Sequence, residues 1–389
     1  MSTIHVLIEP ACANAALYLQ SIAGLQKGAV QQRKKIKFYQ SAQELQIVSD
    51  TKIAVIVSAN LDWTQRAAQK LRSEGFKMIL VGAALEVLGE DFSGPTLNRP
   101  DLVRRQLEYF ISAGRTRIAC VGNQTQDIND QIRINAFLDY GKAAGLSVSA
   151  HDVYDSDEGL HLCIERFLDK AGRYNGAICV NDMVAIELLA QAKQRGIKVP
   201  EELFVAGSGD FRMGRMMTPS LTTTTLDYFK MGLLATDIWL MMNKYSEADK
   251  VKVSLPCELI IRQSTDDFQP ALNLTDRPDM QAGKAELTED STVDFLRKLE
   301  NCLLTCDPLD IKILSAIYAN ESISAMAERL FVSIGTINYR LKQLYVSTGI
   351  GQKNELTQQL HKYISSNAAL EQMANACLEN NIKIVYHND

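Results

Sequence analysis

The chain has 389 residues, which is too long for one ordinary hydrophobic core and predicts at least two domains. Its 46% hydrophobic and 22% charged residues are typical of a soluble globular protein. The net charge of −5 excludes a protein that binds nucleic acid over its whole surface, although a local positive field remains compatible with it.

The N-terminus and the cysteines favour a cytoplasmic protein without a membrane partner. The first residues, MSTIHVLIEP, lack the basic start and apolar core of a signal peptide, and no later run approaches the ~20 apolar residues of a membrane span. The eight cysteines are scattered without a CxxC pair, as expected of reduced buried thiols in the cytosol. The histidines show no metal-ligand spacing, and we predict neither a metal nor a cofactor.

Short apolar segments alternate with helical ones over residues 3–265. The predicted strands are Ile4–Ile8, Lys35–Tyr39, Ile53–Val57, Met78–Val81, Arg117–Val121, Ser147–His151, Gly176–Val180 and Phe204–Gly207. Apolar runs of this kind are typical of strands buried on both faces of a parallel sheet. The pattern predicts an α/β fold with doubly wound parallel sheets. Because such units both precede Asn98 and follow Arg117, we expect two lobes with a ligand cleft between them.

The pattern changes after residue 265. We assign residues 1–265 to a two-lobed ligand-sensing domain and 266–304 to a linker and connecting helix. Residues 305–365 form a small all-α helix-turn-helix domain in this interpretation, and 366–389 a C-terminal extension. Within the second segment, Thr292–Leu304 has apolar residues at helical spacing and is interpreted as a connecting or dimerising helix.

The stretch from Glu321 to Ile350 predicts two helices joined by a tight turn. Ser333 is a good N-cap for the second helix, in which Ile334, Ile337, Leu341 and Leu344 form an apolar stripe facing the core. The opposite face carries side chains suited to base edges and phosphates, namely Thr336, Asn338, Tyr339, Arg340, Lys342 and Gln343. We also predict that Ser333 contacts the DNA. No acidic residue occurs between 331 and 350. We therefore predict a DNA-binding helix here, the alternative being a purely structural three-helix bundle.

This segment resembles the LuxR/GerE-type helix-turn-helix. The resemblance runs from about Asp307 to Lys362 and rests on DPLDIKILSAI, SAMAERLFVSIGTINYRLKQLY and TGIGQKNEL. It implies that Ile334–Val346 enters the major groove and that Lys353 lies near the DNA backbone. The acidic, arginine-rich opening helix of that family is here DPLDIK, and the second helix has only Arg340 and Lys342 as cations. We therefore expect dimerisation to contribute to DNA affinity.

The first domain resembles the sensor of LacI/GalR-type regulators and periplasmic sugar-binding proteins. Three segments carry the resemblance in family order: RIACVGNQTQDINDQIRINAF, GAICVNDMVAIELLAQAKQRGIKVPEELFVAGSGD and PSLTTTTLDYFKMG. The resemblance implies ligand contacts from loops at the carboxyl ends of strands. The implied contact residues are Arg133, Asn181, Asp182, Asp210, Asp227 and Tyr228, with Asp127 and Asn14 placed by loop position.

Other roles for these residues remain open. Arg133 is alternatively an exposed helix arginine, Asn181 and Asp182 are alternatively helix caps, and Tyr228 is alternatively part of the core. The sequence also departs from the family pattern at Gly209, where an aspartate is usual, and at Asn135, where a glycine is usual. An ordinary sugar is therefore one of several options, beside another polyol, a sugar phosphate or no ligand.

Together the two segments predict a regulator that binds a double-stranded DNA operator as a homodimer and responds to a small-molecule effector. In the LacI/GalR pattern a DNA-binding headpiece precedes the sensor, whereas here the first predicted strand already begins at Ile4. We expect the C-terminal helix-turn-helix to take over its role. The chain lacks the glycine-rich nucleotide loops and nucleophile motifs of common α/β enzymes, so we predict no catalytic residues. The alternative function is a ligand-free, sensor-like domain that serves as a dimerisation or protein-interaction platform.

Overall fold

The computed structural model describes residues 2–10, 12, 16–45, 51–82, 85, 88, 92–225, 227–266 and 291–379. Asn14, one of the residues implied in ligand binding, lies outside these ranges, as does most of the predicted linker. None of the described helices is both long and apolar enough to cross a membrane.

Twelve strands and fifteen helices are formed by the described residues. The strands are β1 (Thr3–Ile8), β2 (Lys35–Tyr39), β3 (Ile53–Ser58), β4 (Lys77–Gly82), β5 (Phe92–Leu97), β6 (Ile118–Asn123), β7 (Val153–Asp155), β8 (Gly176–Cys179), β9 (Phe204–Ala206), β10 (Thr223–Thr224), β11 (Lys252–Leu255) and β12 (Leu259–Ile260). The helices are α1 (Ala16–Gln31), α2 (Ala42–Leu45), α3 (Leu61–Ser73), α4 (Arg99–Ser112), α5 (Ile128–Ala143), α6 (Leu160–Leu168), α7 (Asp182–Gln194), α8 (Arg212–Met216), α9 (Tyr228–Lys244), α10 (Ser291–Thr305), α11 (Pro308–Tyr318), α12 (Ile323–Arg329), α13 (Ile334–Thr348), α14 (Lys353–Tyr363) and α15 (Asn367–Glu379).

The first lobe is a six-stranded parallel sheet in the order β2-β1-β3-β4-β5-β11. All six residues of β3, IAVIVS, are buried, as the apolar pattern predicts. Helix α9 returns from the second half of the chain and packs on α1. This packing is close because Gly24 faces the backbone of Phe229 and Gly232 faces the backbone of Ser21, positions where a Cβ has no room.

The second lobe is a four-stranded parallel sheet in the order β7-β6-β8-β9. Helix α5 lies on one side of it, and α6 and α7 lie on the other. The chain passes back to the first lobe through the threonine run at β10, which pairs antiparallel with β12. Two parallel sheets with helices on both faces confirm the predicted fold class.

The C-terminal module consists of α10–α15 and is joined to the second lobe by a continuous hydrophobic core. That core includes Ile186 and Leu189 of α7, Leu296 and Leu299 of α10, and Leu356 of α14. Helix α10 therefore connects the module to the sensor within one subunit, which favours the connecting role predicted for Thr292–Leu304.

The strand prediction fails in two places. The expected strand Ser147–His151 is a coil ending in a 3-10 turn, because the Ser149 and Asp152 side chains each bind the other's backbone amide in a capping box. The strand forms just after it, at Val153–Asp155. The strands β5 and β11, which complete the first sheet, were not predicted at all.

Candidate functional site

Both sheets present loops at a point where the strand order reverses, which is where open α/β sheets bind ligands. In the second lobe this point lies between β6 and β8, so the loop after Asn123 and the loop after Cys179 meet there. In the first lobe it lies between β1 and β3, next to Glu9 and Ser58.

Arg133 is not an exposed helix arginine. Its side chain is only 15% exposed, and its Nη1 donates to Asp130 Oδ1 at 2.9 Å. Asp130 is buried, and its other oxygen accepts the Gln124 amide at 3.0 Å. Among the described residues, the buried Arg133 Nε and the buried Asn123 Nδ2 have no hydrogen-bond partner. These two unsatisfied donors, one on α5 and one at the end of β6, are expensive to bury.

Tyr228 approaches Arg133 from the first lobe. It is buried at the start of α9, where burial raises its pKa and the guanidinium groups of Arg99 and Arg133 oppose that rise. Its ring meets the Tyr18 ring edge-on, with 6.1 Å between the ring centres. The structure thus brings together Arg133 and Tyr228, and adds Arg99 and Tyr18, which sequence reasoning missed. The signals in the sequence for those two were an arginine at a helix start and an aromatic after the first strand.

Three other predicted contact residues cap helices with their side chains. Asp127 Oδ1 accepts from the Asn129 and Asp130 amides at 2.8 and 3.0 Å. Asn181 Oδ1 accepts from the Val184 amide at 3.0 Å, and Asp227 Oδ1 accepts from the Lys230 amide at 2.8 Å. All three are partly exposed at the carboxyl end of strands or the start of α9. Their capping bonds use one oxygen each, which leaves further acceptor capacity on each side chain.

Asp182 points into the second lobe and has no exposed surface. Its carboxylate accepts from Thr223 Oγ1 at 2.6 Å and from the Phe211 amide at 2.7 Å. Burial raises its pKa to about 7, although both hydrogen bonds oppose the rise. Asp182 therefore ties the loop after β9 to the threonine run, and its ligand contact stays a prediction.

Asp210 is likewise engaged inside the lobe. Its carboxylate forms ion pairs with Arg215, at 2.6 Å, and with Arg262. Burial alone would raise the pKa of Asp210, but the two guanidinium groups outweigh it and hold the pKa below its ordinary value. The neighbouring Gly209 has a φ of +132°, and a Cβ there would collide with the Phe211 ring. The aspartate usual at this position is thus excluded by the local backbone.

In the first lobe an acidic side chain occupies the carboxyl end of β1, next to the end of β3. Glu9 is buried, and its Oε2 accepts from Ser58 Oγ at 2.9 Å and from the Ala59 and Asn60 amides at 2.9 and 3.1 Å. These groups lie just before α3, at the end of β3. The protein therefore fills this part of the first lobe with its own carboxylate.

The C-terminal module contains the predicted pair of helices. Ser333 caps α13 by accepting the Thr336 amide at 3.0 Å, as predicted. Ile337, Leu341 and Leu344 are buried against α10–α12, but Ile334 is 52% exposed, so its predicted inward position is wrong.

The polar residues predicted to contact DNA fall into two groups. Ser333, Asn338, Tyr339, Lys342 and Gln343 are exposed, and Thr336 is half-buried. Arg340, by contrast, donates from Nη1 to Asp307 at 2.8 Å and to both oxygens of Asp310 at 3.1 Å. Lys353 donates to Asn320 Oδ1 at 3.2 Å and to the Glu321 carbonyl. Those two cations are therefore held by the module itself, and Lys342 is the exposed cation of α13.

Two buried carboxylates fasten the module to the sensor. Glu300 of α10 has no exposed surface and accepts from the Arg212 and Met213 amides of α8 at 2.8 and 3.0 Å. Glu187 of α7 accepts from Lys362 and Tyr363 of α14. Because α8 follows directly on the loop that holds Asp210, the cleft end of the second lobe and the helix-turn-helix are joined through α10.

Two family models match separate parts of the chain. Residues 107–265 match the family model described as a periplasmic binding protein-like domain. Residues 307–345 match the model described as winged helix-turn-helix DNA-binding. The second match corrects the LuxR/GerE-type resemblance, because the family model that matches this segment is a winged helix-turn-helix one. In the described residues 349–379 the chain continues with the helices α14 and α15 and without a strand.

Curated relatives are transcription regulators. The repressor PurR of Photobacterium profundum is 24% identical over 164 residues, which make up 41% of this chain and 49% of that protein. The regulator pepR1 of Lactobacillus delbrueckii subsp. lactis is 28% identical over 208 residues, 52% of this chain and 60% of that protein. The chain thus spans about half the length of the curated relatives it matches.

Solved structures show the same fold. The CelR–cellobiose complex superimposes with a TM-score of 0.57 at 16% identity, covering 67% of this chain and 84% of that one. The LacI-family regulator CCPA from Weissella paramesenteroides, with bound sucrose, gives a TM-score of 0.56 at 21% identity, covering 69% of this chain and 100% of that one. The chain therefore combines a periplasmic binding protein-like domain with a winged helix-turn-helix segment, and the curated proteins it is similar to are transcription regulators.

Proposed function

We propose that this chain is a DNA-binding transcription regulator whose two-lobed domain senses a small polar metabolite and adjusts DNA binding by the C-terminal helix-turn-helix. The observation that carries the proposal is the junction at Glu300, whose carboxylate joins α8 of the sensor to α10, which packs on α13. A change in the second lobe is thereby transmitted to the DNA-reading helix as a rigid displacement.

The ligand site is assigned to the cleft around Arg133 and Tyr228. The unsatisfied Arg133 Nε and Asn123 Nδ2 are donors, so they favour a ligand with hydroxyl, carbonyl or phosphoryl oxygens. The partly exposed Asp127, Asn181 and Asp227 supply acceptors for ligand hydroxyls. Closure of the lobes around such a ligand would reorient the C-terminal modules of a homodimer, since each module moves with its second lobe.

DNA recognition is assigned to the exposed face of α13. Asn338 and Gln343 suit adenine, and Lys342 suits a phosphate or guanine. A dimer would read a roughly palindromic operator with half-sites about one helical turn apart.

The direct test is selection of binding sites by the full chain from a library of random duplexes, followed by anisotropy titration of the enriched sequence. We expect an enriched inverted repeat, and Asn338→Ala should lower the affinity for it about 5- to 100-fold. Asn243→Ala, on the exposed end of α9 in the sensor, is the matched control and should change nothing. Absence of any enriched sequence would contradict the proposal.

A second candidate function is a ligand-free platform for dimerisation or protein binding. It is favoured by the internal hydrogen bonds and ion pairs of three buried carboxylates, those of Asp182, Asp210 and Glu9. A thermal-shift screen of the full chain against saccharides, sugar phosphates, polyols and nucleosides separates the two, because only a bound ligand raises the melting temperature by mass action.

A further inference from the structure

The exposed face of α13 is unusually apolar for a helix proposed to bind DNA. Ten large hydrophobic side chains are strongly exposed among the described residues, and four of them lie between residues 331 and 346. They are Phe331 (94% exposed), Ile334 (52%), Tyr339 (63%) and Val346 (73%). The other six are spread over the sensor.

Phe331 combines an exposed side chain with an unusual backbone conformation. It lies in the turn between α12 and α13 with a φ of +55°, a left-handed conformation that is rare for a large aromatic residue. A glycine would adopt this turn without strain, and the Phe331 ring makes almost no contact that would offset it. Strain of this kind, combined with full exposure, points to a role outside the folded core.

These side chains lie near the Asn338 amide. Tyr339 follows Gly335 by one helical turn and precedes Lys342 by less than one, while Ile334 and Asn338 form the adjacent row. The buried row of Ile337, Leu341 and Leu344 lies opposite Tyr339, and Ile334 lies at the edge of that row, where it is 52% exposed. The first two turns of α13 therefore present apolar groups beside the Asn338 amide.

The groups that read guanine are scarce on this surface. Arginine and lysine recognise guanine, asparagine and glutamine recognise adenine, and apolar side chains contact the methyl group of thymine. Arg340 is bound to Asp307 and Asp310, which leaves Lys342 as the exposed cation of α13. The remaining exposed groups are an amide and apolar side chains, which match A·T base pairs.

We propose that the turn and first two turns of α13 read A·T base pairs, with Phe331, Ile334 and Tyr339 against thymine methyl groups and Asn338 on adenine. This inference rests on the proposed DNA-binding function. Val346, two turns beyond Tyr339, is not assigned, because the N-terminal part of a recognition helix is the part that contacts base edges.

The same surface would suit a protein partner, but its charge favours DNA. No acidic residue occurs between 331 and 350, so nothing on this face repels a polyanion. Lys342 lies within the apolar group, where a phosphate would pair with it.

The test compares duplexes that differ only in the thymine methyl groups. The full chain selects its preferred sequence from a random duplex library, and anisotropy then measures affinity for that duplex and for a copy with deoxyuridine in place of thymidine. We expect an A·T-rich half-site and an affinity about three- to fivefold lower for each contacted methyl group removed.

Two variants identify the side chain responsible. Tyr339→Ala should abolish the difference between the thymidine and deoxyuridine duplexes at one position, whereas Tyr245→Ala, an exposed tyrosine after α9, should preserve it. Both residues are exposed, so neither variant is expected to unfold the chain. Phe331→Gly should keep the melting temperature within a few degrees, since the relief of strain offsets the added backbone freedom, and should still weaken binding.

The possible results are distinct. A G·C-rich selected site, or equal affinity for the two duplexes, would overturn this inference and leave the proposed DNA-binding function standing. If no duplex is selected, the proposed function itself fails and this inference with it. If Phe331→Gly and Tyr339→Ala instead change the sedimentation of the chain without affecting DNA, the face is a protein interface and the inference is wrong.

Discussion

The carboxylate of Glu187 accepts a hydrogen bond from the phenol of Tyr363 at 2.8 Å, across the boundary between the sensor and the C-terminal module. Glu187 lies on α7 of the second lobe, and Tyr363 ends α14. Both are buried, and Lys362 adds a partly exposed ion pair at 3.1 Å. The burial and the Glu187 carboxylate raise the pKa of the Tyr363 phenol above its ordinary range. The phenol is therefore a neutral donor at any physiological pH.

Removing this carboxylate should weaken the docking of the module. Glu187→Ala leaves the Tyr363 phenol without its acceptor, and we expect a loss of about 1–3 kcal/mol in the free energy of unfolding. Urea denaturation followed by circular dichroism measures it. The control is Glu165→Ala, which removes a partly exposed carboxylate on α6 and should lower the free energy of unfolding by under about 0.5 kcal/mol. Equal costs for the two variants would show that the boundary carries no special stability.

The buried Asp182 predicts an unusual dependence of stability on pH. Its folded-state pKa of about 7 lies above the ordinary value for an unfolded chain, so between about pH 4 and 7 the folded state binds more protons than the unfolded state. The free energy of unfolding contributed by this group therefore falls as pH rises through that window. The slope is on the order of 1 kcal/mol per pH unit.

Asp182→Asn tests this dependence. The amide can accept from the Phe211 amide and donate to Thr223 Oγ1, so it keeps both contacts and has no charge to bury. Relative to this variant, the natural chain should lose stability progressively between about pH 4 and pH 7 in urea titrations. Parallel stability curves for the two proteins would mean that Asp182 is not protonated in the folded state near neutrality.

Arg340 should matter more for the stability of the module than for base specificity. Arg340→Ala removes the cation shared by Asp307 and Asp310, whose side chains lie at the start of α11. Since Arg340 is partly exposed, we expect a modest cost of about 1 kcal/mol in the free energy of unfolding. The sequence of the selected operator should not change. A relaxed preference at a single guanine would instead show that Arg340 leaves its carboxylates to read DNA.

Lys342 should contact a DNA phosphate or a base edge, and its contribution to DNA affinity should depend on salt concentration. Lys342→Ala should weaken DNA binding and reduce the slope of log affinity against log salt by about 0.9. Lys142→Ala, an exposed lysine on α5 on the far side of the second lobe, is the matched control. An unchanged slope of log affinity against log salt in Lys342→Ala would contradict the assignment of α13 to the DNA interface.

The fold class followed from the sequence because both sheets consist of buried apolar strands separated by regular helices. The edge strands β5 and β11 did not, because β5 contains Gly94 and Pro95, which locally indicate a turn. Its partners are β4 and the distant β11, and pairings over such separations leave no local pattern.

The site was only partly predictable for a related reason. A polar residue before a helix has the same local pattern whether it caps the helix or binds a ligand, so Asn181, Asp127 and Asp227 were ambiguous. Arg340 of α13 pairs with Asp307 at the start of α11, and a contact between two helices leaves no periodic pattern in the sequence. Ile334 fits the apolar stripe of α13, yet it is exposed, because periodicity alone does not show where along a helix burial begins.

The most direct test of a ligand-responsive regulator is the coupling between the cleft and the DNA site. The full chain is titrated with its selected duplex in the absence and presence of each saccharide, sugar phosphate, polyol and nucleoside that raises its melting temperature. We predict that at least one compound changes the DNA affinity about 5- to 150-fold, and that Arg133→Ala abolishes the change while leaving DNA affinity without ligand intact. If no compound in the panel alters the melting temperature or the DNA affinity, the sensing claim is contradicted and the ligand-free platform is favoured.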